Sequence, residues 1–180
     1  GLSNFAVTTA RTAFAESTNY RFRRTYYSCA RFIDMVWLLQ KYQTTIVCFD
    51  VDLIFERPVD AMIGEVSGKD IGLFQREPLD SLWLDIYKGC VVANNTTAAL
   101  RYFNAVGNFV RYFAGRDELN WHLDQIALYC VLKMMERFAE QPRIGWITQA
   151  ALASVWHIGK PNDFLIQEDR VARYSVDGLV

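Results

Sequence analysis

Asp50 and Asp52 stand two positions apart, directly after a short apolar segment that is rich in β-branched residues. In extended backbone, alternate side chains point to the same side, so both carboxylates can face one cation. Mg²⁺ and Mn²⁺ prefer carboxylate oxygens and commonly share their coordination shell with substrate phosphates. The spacing therefore predicts a divalent metal site that holds a diphosphate. The alternative interpretation is a pair of acidic turn residues that cap the next segment.

The segments around these aspartates have the periodicities of strands and helices. Apolar residues recur with helical spacing from Ser28 to Lys41, and Thr44 to Phe49 is an apolar run short enough for a central strand buried on both faces. The same criteria predict, in order, strands at 71–74 and 89–93, helices at 96–113 and 123–138, and strands at 144–147 and 154–158. This alternation predicts an α/β sheet of mostly parallel strands, which binds ligands at the carboxyl ends of its strands. With no repeat or linker-like segment, residues 1–180 are expected to form a single domain.

The composition argues against several classes of partner. The 180 residues are 52% hydrophobic, and 19 basic against 20 acidic residues leave a formal charge of −1. A nearly neutral chain has no long-range field toward nucleic acid or anionic lipid, so no nucleic-acid partner is expected. The sequence has no run of about 18 apolar residues, so no membrane span is predicted. The four cysteines form no CxxC pair, which argues against a zinc finger and favours a reducing, cytoplasmic compartment; a Golgi or ER lumen is the alternative if a signal or anchor has been removed.

Three motifs follow one another in a recognisable order. They are the DVD triplet after the apolar strand, the glycine-containing strand in YKGCVVANNTTAALRYF, and the Asp-Gln pair in LNWHLDQIALYCVL. Over residues 26 to 160, this pattern resembles the core of GT-A-fold nucleotide-sugar glycosyltransferases, especially the glycogenin-like and related retaining families. The resemblance implies a GT-A-like, mixed and mostly parallel sheet flanked by helices. It also implies an N-terminally shortened fold without the part that binds the nucleotide base, because only 49 residues precede Asp50.

The resemblance implies a metal and diphosphate site. It assigns the metal to Asp50, Asp52 and His157, with Asp50 also at the diphosphate. It assigns diphosphate contacts to Lys160 and to Arg31, which takes the place of the family's arginine on the helix before the DxD strand. From the residues alone, Arg31 on a mostly apolar helix needs a partner, because an unpaired buried charge is costly. A surface turn is the alternative for His157 and Lys160.

The resemblance implies a sugar side as well. Asp124 and Gln125, at the start of a helix, match the family's Asp-Gln motif and are implied to be catalytic, holding sugar hydroxyls or flanking the reacting carbon. A helix cap is the alternative for both. Asn94 follows the glycine strand and is predicted to contact the substrate; Asn94 and Asn95 also fit N-x-[ST], but a place at a helix start is favoured over glycosylation. We expect Asp124 and Gln125 to lie across a cleft from Asp50 and Asp52, with about 10 Å between the carboxylates.

These expectations describe a glycosyltransferase that uses Mn²⁺ or Mg²⁺. It would move a sugar from a nucleotide-diphosphate donor, with a UDP-sugar favoured, to an acceptor that the sequence does not name. One alternative is a non-catalytic sugar- or partner-binding module on a decayed transferase scaffold. The other is a haloacid-dehalogenase-type phosphatase, because IVCFDVDLIF resembles the opening strand and DxD of that family, although Leu53-Ile54 stands where the family has a small polar pair.

Overall fold

The computed structural model describes residues 20–50, 53–55, 59–75, 86–114, 116, 122–138, 141–148 and 155–157. The helices are α1 (Tyr20–Ile33), α2 (Met35–Tyr42), α3 (Asp60–Glu65), α4 (Thr97–Ala114) and α5 (Leu123–Met135). The strands are β1 (Ile46–Phe49), β2 (Leu53–Phe55), β3 (Ile71–Gln75), β4 (Ile86–Ala93), β5 (Ile144–Ile147) and β6 (Val155–His157). The elements confirm a mixed α/β protein. No helix within these ranges is long and apolar enough to cross a membrane.

The four-stranded sheet has the order β1-β4-β3-β5, and β2 and β6 form a separate antiparallel pair. Within the larger sheet, β4 runs antiparallel to both β1 and β3, and only β3 and β5 are parallel. The predicted mostly parallel order is therefore wrong for the described strands. Periodicity along one strand shows which residues are buried, but it carries no information on the direction of the neighbouring strand.

Two of the described strands, β4 and β3, have a neighbouring strand on each side and contribute side chains to both cores. The side chains of β4 alternate, with Val91 and Ala93 in the core under α1, α4 and α5, and Cys90 and Val92 in a smaller core under α3. Among the described strands β1 is an outer strand, partly buried, and its Phe49 is 44% exposed. The prediction of a central strand buried on both faces was therefore wrong for β1; among the described strands, that burial is found in β4 and β3.

The helices supply most of the larger core. The helices α1, α2, α4 and α5 contribute six of its large fully buried side chains, which are Phe32, Met35, Leu39, Tyr102, Phe103 and Leu128. Each such side chain contributes about 1.5–3 kcal/mol relative to exposure. The Tyr102 hydroxyl donates a hydrogen bond to the Leu128 carbonyl at 2.7 Å, which joins α4 to α5. This packing holds α1 and α5 side by side, and these helices carry the polar residues described next.

The helix predicted from Ser28 to Lys41 bends at Asp34, which separates α1 from α2. Hydrogen bonds of 2.9 Å from Asp34 N to Ala30 O and from Leu38 N to Asp34 O continue across the bend. The apolar stripe therefore identified the helical segment correctly, but not its interruption or its start at Tyr20.

Candidate functional site

Asp50 directly follows β1, at the end of the sheet where β4 begins. Its backbone N–H donates to the Gly89 carbonyl at 2.9 Å, which continues the pairing of Phe49 with Cys90. This bond fixes the main chain of Asp50 against β4, while the side chain remains 23% exposed. The structure thus places this carboxylate at a strand end, as the sequence predicts.

Arg31, in the last turn of α1, lies between two carboxylates. Its Nη1 donates a hydrogen bond to Oδ1 of Asp50, and its Nη2 lies 3.8 Å from Oδ2 of Asp124. The Phe32 ring centroid is 4.9 Å from the guanidinium carbon, and the Arg31 side chain is only 17% exposed. The predicted pairing of Arg31 with a site carboxylate is confirmed. One guanidinium reaches both carboxylates, which agrees with the expected proximity of Asp124 and Asp50.

Asp124 lies in the first turn of α5, with 1% of its side chain exposed. Its Oδ2 accepts a hydrogen bond from the Ser28 hydroxyl, and its Oδ1 accepts one from the backbone N–H of Gln125 at 2.9 Å. Ser28 and Arg31 are three residues apart on α1 and therefore share a face. Sequence reasoning missed Ser28, because a serine in a helix has no chemical signature. The signal available was its place one turn before the arginine.

Gln125 ties the start of α5 to the start of β4. Its Nε2 donates to the Ile86 carbonyl at 2.8 Å, and its Oε1 is 2.8 Å from Nδ1 of His122. His122 adopts the left-handed conformation, with φ of 76°, directly before the helix and makes no side-chain cap hydrogen bond. The amide group of Gln125 is thus engaged at both ends and the residue is 3% exposed. Both members of the predicted Asp-Gln pair are buried groups that hold the site together.

The charges around Arg31 keep it protonated. Burial alone would lower the pKa of Arg31, but Cys48, whose thiol ionises only at high pH, and the carboxylates of Asp50 and Asp124 raise that pKa above its usual value. Burial raises the pKa of the Cys48 thiol to about 11, against the opposing effect of the Arg31 charge, so the thiol is neutral at pH 7. Asp50 thus lies near one permanent cation and one neutral thiol, and Asp124 lies near the same cation.

The guanidinium of Arg31 has more hydrogen-bond donors than the described residues satisfy. Among the residues that the structure describes, its Nε and Nη2 are buried and have no hydrogen-bond partner. A buried donor without an acceptor costs about 1–3 kcal/mol. The fork of guanidinium donors matches the oxygens of a phosphate or carboxylate. An oxyanion at this position would therefore satisfy donors that the protein leaves open.

The remaining predicted metal and diphosphate residues are only partly covered. Asp52, Lys160 and the His157 side chain lie outside the described residues. The backbone register of β2 and β6 nevertheless pairs Leu53 with His157, so the main chain of His157 lies beside the residue that follows Asp52. Within the described ranges, no group of three His, Cys, Asp or Glu side chains is arranged to hold a metal ion.

Asn94 lies away from this site. It follows β4, which is antiparallel to β1, so it lies beside Thr45 and five strand positions from Asp50, or about 16 Å. Its Nδ2 donates to the carbonyls of Val66 at 3.0 Å and Lys69 at 2.9 Å, and its Oδ1 accepts from the Thr45 hydroxyl at 2.6 Å. The predicted substrate contact of Asn94 is corrected accordingly, because it assumed that both strands end at one edge.

Comparison with known proteins adds no relative: the sequence matches no family model, no curated protein and no solved structure.

Proposed function

We propose that this chain binds a nucleotide-diphosphate sugar together with a divalent metal ion and transfers the sugar. The observation that carries the proposal is the position of Arg31 between Asp50 and Asp124, with two buried donors that have no hydrogen-bond partner among the described residues. A guanidinium that carboxylates hold in place, and that has further N–H groups available, suits the diphosphate of a nucleotide sugar. The finer proposal for the fold is that the described mixed sheet is the core of a GT-A-like domain.

The residues proposed for the metal suit Mn²⁺ or Mg²⁺. Asp50 and Asp52 supply carboxylate oxygens, which suit either ion, whereas the His157 imidazole is a softer ligand and favours Mn²⁺ over Mg²⁺. The pairing of Leu53 with His157 supports this set, because it brings two distant segments of the chain to one place. When bound, the ion would neutralise the charge that develops on the diphosphate leaving group. Lys160 is retained in the proposal as a second diphosphate contact.

Arg31, Asp124 and Gln125 have different roles in this proposal. Arg31 binds the diphosphate oxygens through its open donors. Asp124 and Gln125 are almost completely buried, with 1% and 3% exposure, and their polar atoms are engaged within the protein. We therefore assign them a positioning role, in which Asp124 holds Arg31 and Gln125 holds the start of β4. Their direct contact with the sugar, implied by the family resemblance, stays a prediction.

Calorimetry with UDP and Mn²⁺ tests the proposal. Wild type should bind UDP only with the metal, and Asp52→Asn should lose that binding, because the metal loses a ligand. Asp34→Asn is the matched control, since Asp34 is exposed and makes no side-chain cap hydrogen bond. UDP binding that is indifferent to Mn²⁺ would contradict the metal site.

Turnover separates the alternatives. Release of UDP from UDP-sugars with Mn²⁺ is expected for a transferase that uses water as a slow acceptor. Binding without turnover across a panel of UDP-sugars would instead indicate a binding module. Hydrolysis of a generic phosphate ester would indicate a dehalogenase-type phosphatase.

A further inference from the structure

We propose that Arg31 is an internal counter-ion that competes with the divalent metal for Asp50 and thereby couples metal binding to diphosphate binding. This inference rests on the proposed function and adds a mechanism for the order and cooperativity of ligand binding at the same site. It starts from the contact between Arg31 Nη1 and Asp50 Oδ1.

The first step concerns Asp50 in the metal-free chain. Its carboxylate already carries a cationic partner, Arg31, whose side chain is 17% exposed. A divalent ion on the same carboxylate would meet a like charge that solvent screens poorly at this depth. The metal alone should therefore bind weakly, because Arg31 is already paired with the Asp50 oxygen that the metal requires and its positive charge repels the metal ion.

The second step concerns where Arg31 can go. Oδ2 of Asp124 lies 3.8 Å from Nη2, and the Phe32 ring lies against the guanidinium. These neighbours would keep Arg31 at the site when the metal takes Asp50. Nη1 would then join Nε and Nη2, which have no hydrogen-bond acceptor among the residues that the structure describes. Diphosphate oxygens supply acceptors and negative charge together. Each ligand thus removes the obstacle to the other.

Such coupling is reciprocal: if UDP raises the affinity for Mn²⁺, Mn²⁺ raises the affinity for UDP by the same factor. Typical coupling is about 5-fold to 150-fold. Replacement of Arg31 should act in opposite directions on the two measurements. Metal alone should bind more tightly, because the competitor is gone, and UDP with metal should bind more weakly, because the diphosphate donors are gone.

The experiment measures Mn²⁺ affinity by electron paramagnetic resonance, with and without UDP, for wild type, Arg31→Gln and Arg31→Lys. For Arg31→Gln we expect Mn²⁺ alone to bind at least about 5-fold more tightly than to wild type, and the coupling to UDP to fall close to one. Arg31→Lys keeps the charge without the planar fork. It should therefore bind Mn²⁺ alone as weakly as wild type and lose most of the coupling.

Asp34→Asn provides the closing control, since it removes an exposed carboxylate that lies outside the Arg31–Asp50 pair. It should leave both the Mn²⁺ affinity and the coupling to UDP as they are in wild type. The proposal is overturned if Arg31→Gln binds Mn²⁺ alone no more tightly than wild type while wild type still shows UDP-linked metal binding. If wild type binds no Mn²⁺ even with UDP, the proposed function fails as well, so the two failures are distinguishable. Far-ultraviolet circular dichroism establishes that each variant is folded.

Discussion

Arginine–aspartate pairs lie at both ends of the four-stranded sheet, but the two pairs differ in what they leave open. The carboxylate of Asp70, directly before β3, accepts three hydrogen bonds from Arg143. The donors are the backbone N–H of Arg143 at 2.7 Å, its Nε at 3.1 Å and its Nη2 at 3.3 Å. Arg31, at the Asp50 end, uses Nη1 on Asp50 and has two buried donors without a hydrogen-bond partner in the described part of the chain. The carboxylate of Asp70 thus receives three hydrogen bonds from its arginine, whereas Arg31 keeps two donors without a hydrogen-bond partner among the described residues.

Burial is also reversed between the two ends. Asp70 has a side chain that is 6% exposed while that of Arg143 is 66% exposed, so water can serve the donors that Asp70 does not take. At the Asp50 end the arginine is the buried partner, at 17% exposure. An open donor costs little in water and much in the interior. The comparison favours a structural role for the Asp70 end and is consistent with the binding role that we propose for the Asp50 end.

The largest loss of stability is expected for Asp70→Asn. The substitution removes the charge and turns one acceptor into a donor that faces the donors of Arg143. Hydrogen bonds to charged groups contribute about 1.5–3 kcal/mol, so the free energy of unfolding should fall by about 2 kcal/mol or more at pH 7. Urea unfolding measures it. Mn²⁺-dependent UDP binding by the folded fraction should remain unchanged, and its loss would contradict the separation of the two ends.

The pH dependence identifies the cause of that loss. Burial alone would raise the pKa of Asp70, but hydrogen bonds from Arg143 and Thr96 outweigh it and hold this pKa below its usual value. A lowered pKa in the folded state contributes stability above the unfolded pKa, near 3.9, and this contribution is lost as pH falls through the folded pKa. The difference between wild type and Asp70→Asn should therefore be largest near neutral pH and shrink in acid. A difference independent of pH would indicate a packing defect instead.

A smaller loss of stability is expected for Asn94→Asp, which tests the hydrogen bonds of an uncharged side chain at the Asp70 end of the sheet. The new carboxylate cannot donate to the carbonyls of Val66 and Lys69, as the Asn94 amide does at 3.0 and 2.9 Å. These contacts are partly exposed, so the loss should be about 1–2 kcal/mol in urea unfolding. Asn95→Asp is the control next to it, because the Asn95 amide makes one exposed bond, to Gln43, at 2.9 Å. Equal losses for both variants would show that Asn94 is not a structural link.

The sequence revealed elements and single residues better than it revealed their arrangement. β5 matches its predicted range of 144–147, because a short apolar run after a proline stop is a local signal. The pairing of Arg31 with a carboxylate was predicted correctly because a charge on a mostly apolar helix requires a partner. Asn94 was misplaced because the end of the sheet that it reaches depends on the direction of β4, which pairs with strands far away in the chain. Ser28 was missed for a related reason, since its partner Asp124 is 96 residues away.

The smallest effect on stability is expected for Asp50→Asn, the substitution that matches Asp70→Asn at the other end of the sheet. Asp50 is 23% exposed, the amide oxygen of asparagine still accepts from Arg31, and Asp124 still balances the guanidinium charge. Partly exposed ion pairs contribute about 0–1 kcal/mol, so the free energy of unfolding should fall by about 1 kcal/mol or less. Mn²⁺-dependent UDP binding, measured by calorimetry on the same preparation, should be lost because a neutral amide is a poor ligand for a hard cation. If Asp50→Asn were as destabilising as Asp70→Asn and retained UDP binding, the Asp50 end would be a second structural clamp, and its open donors would have no bearing on a ligand.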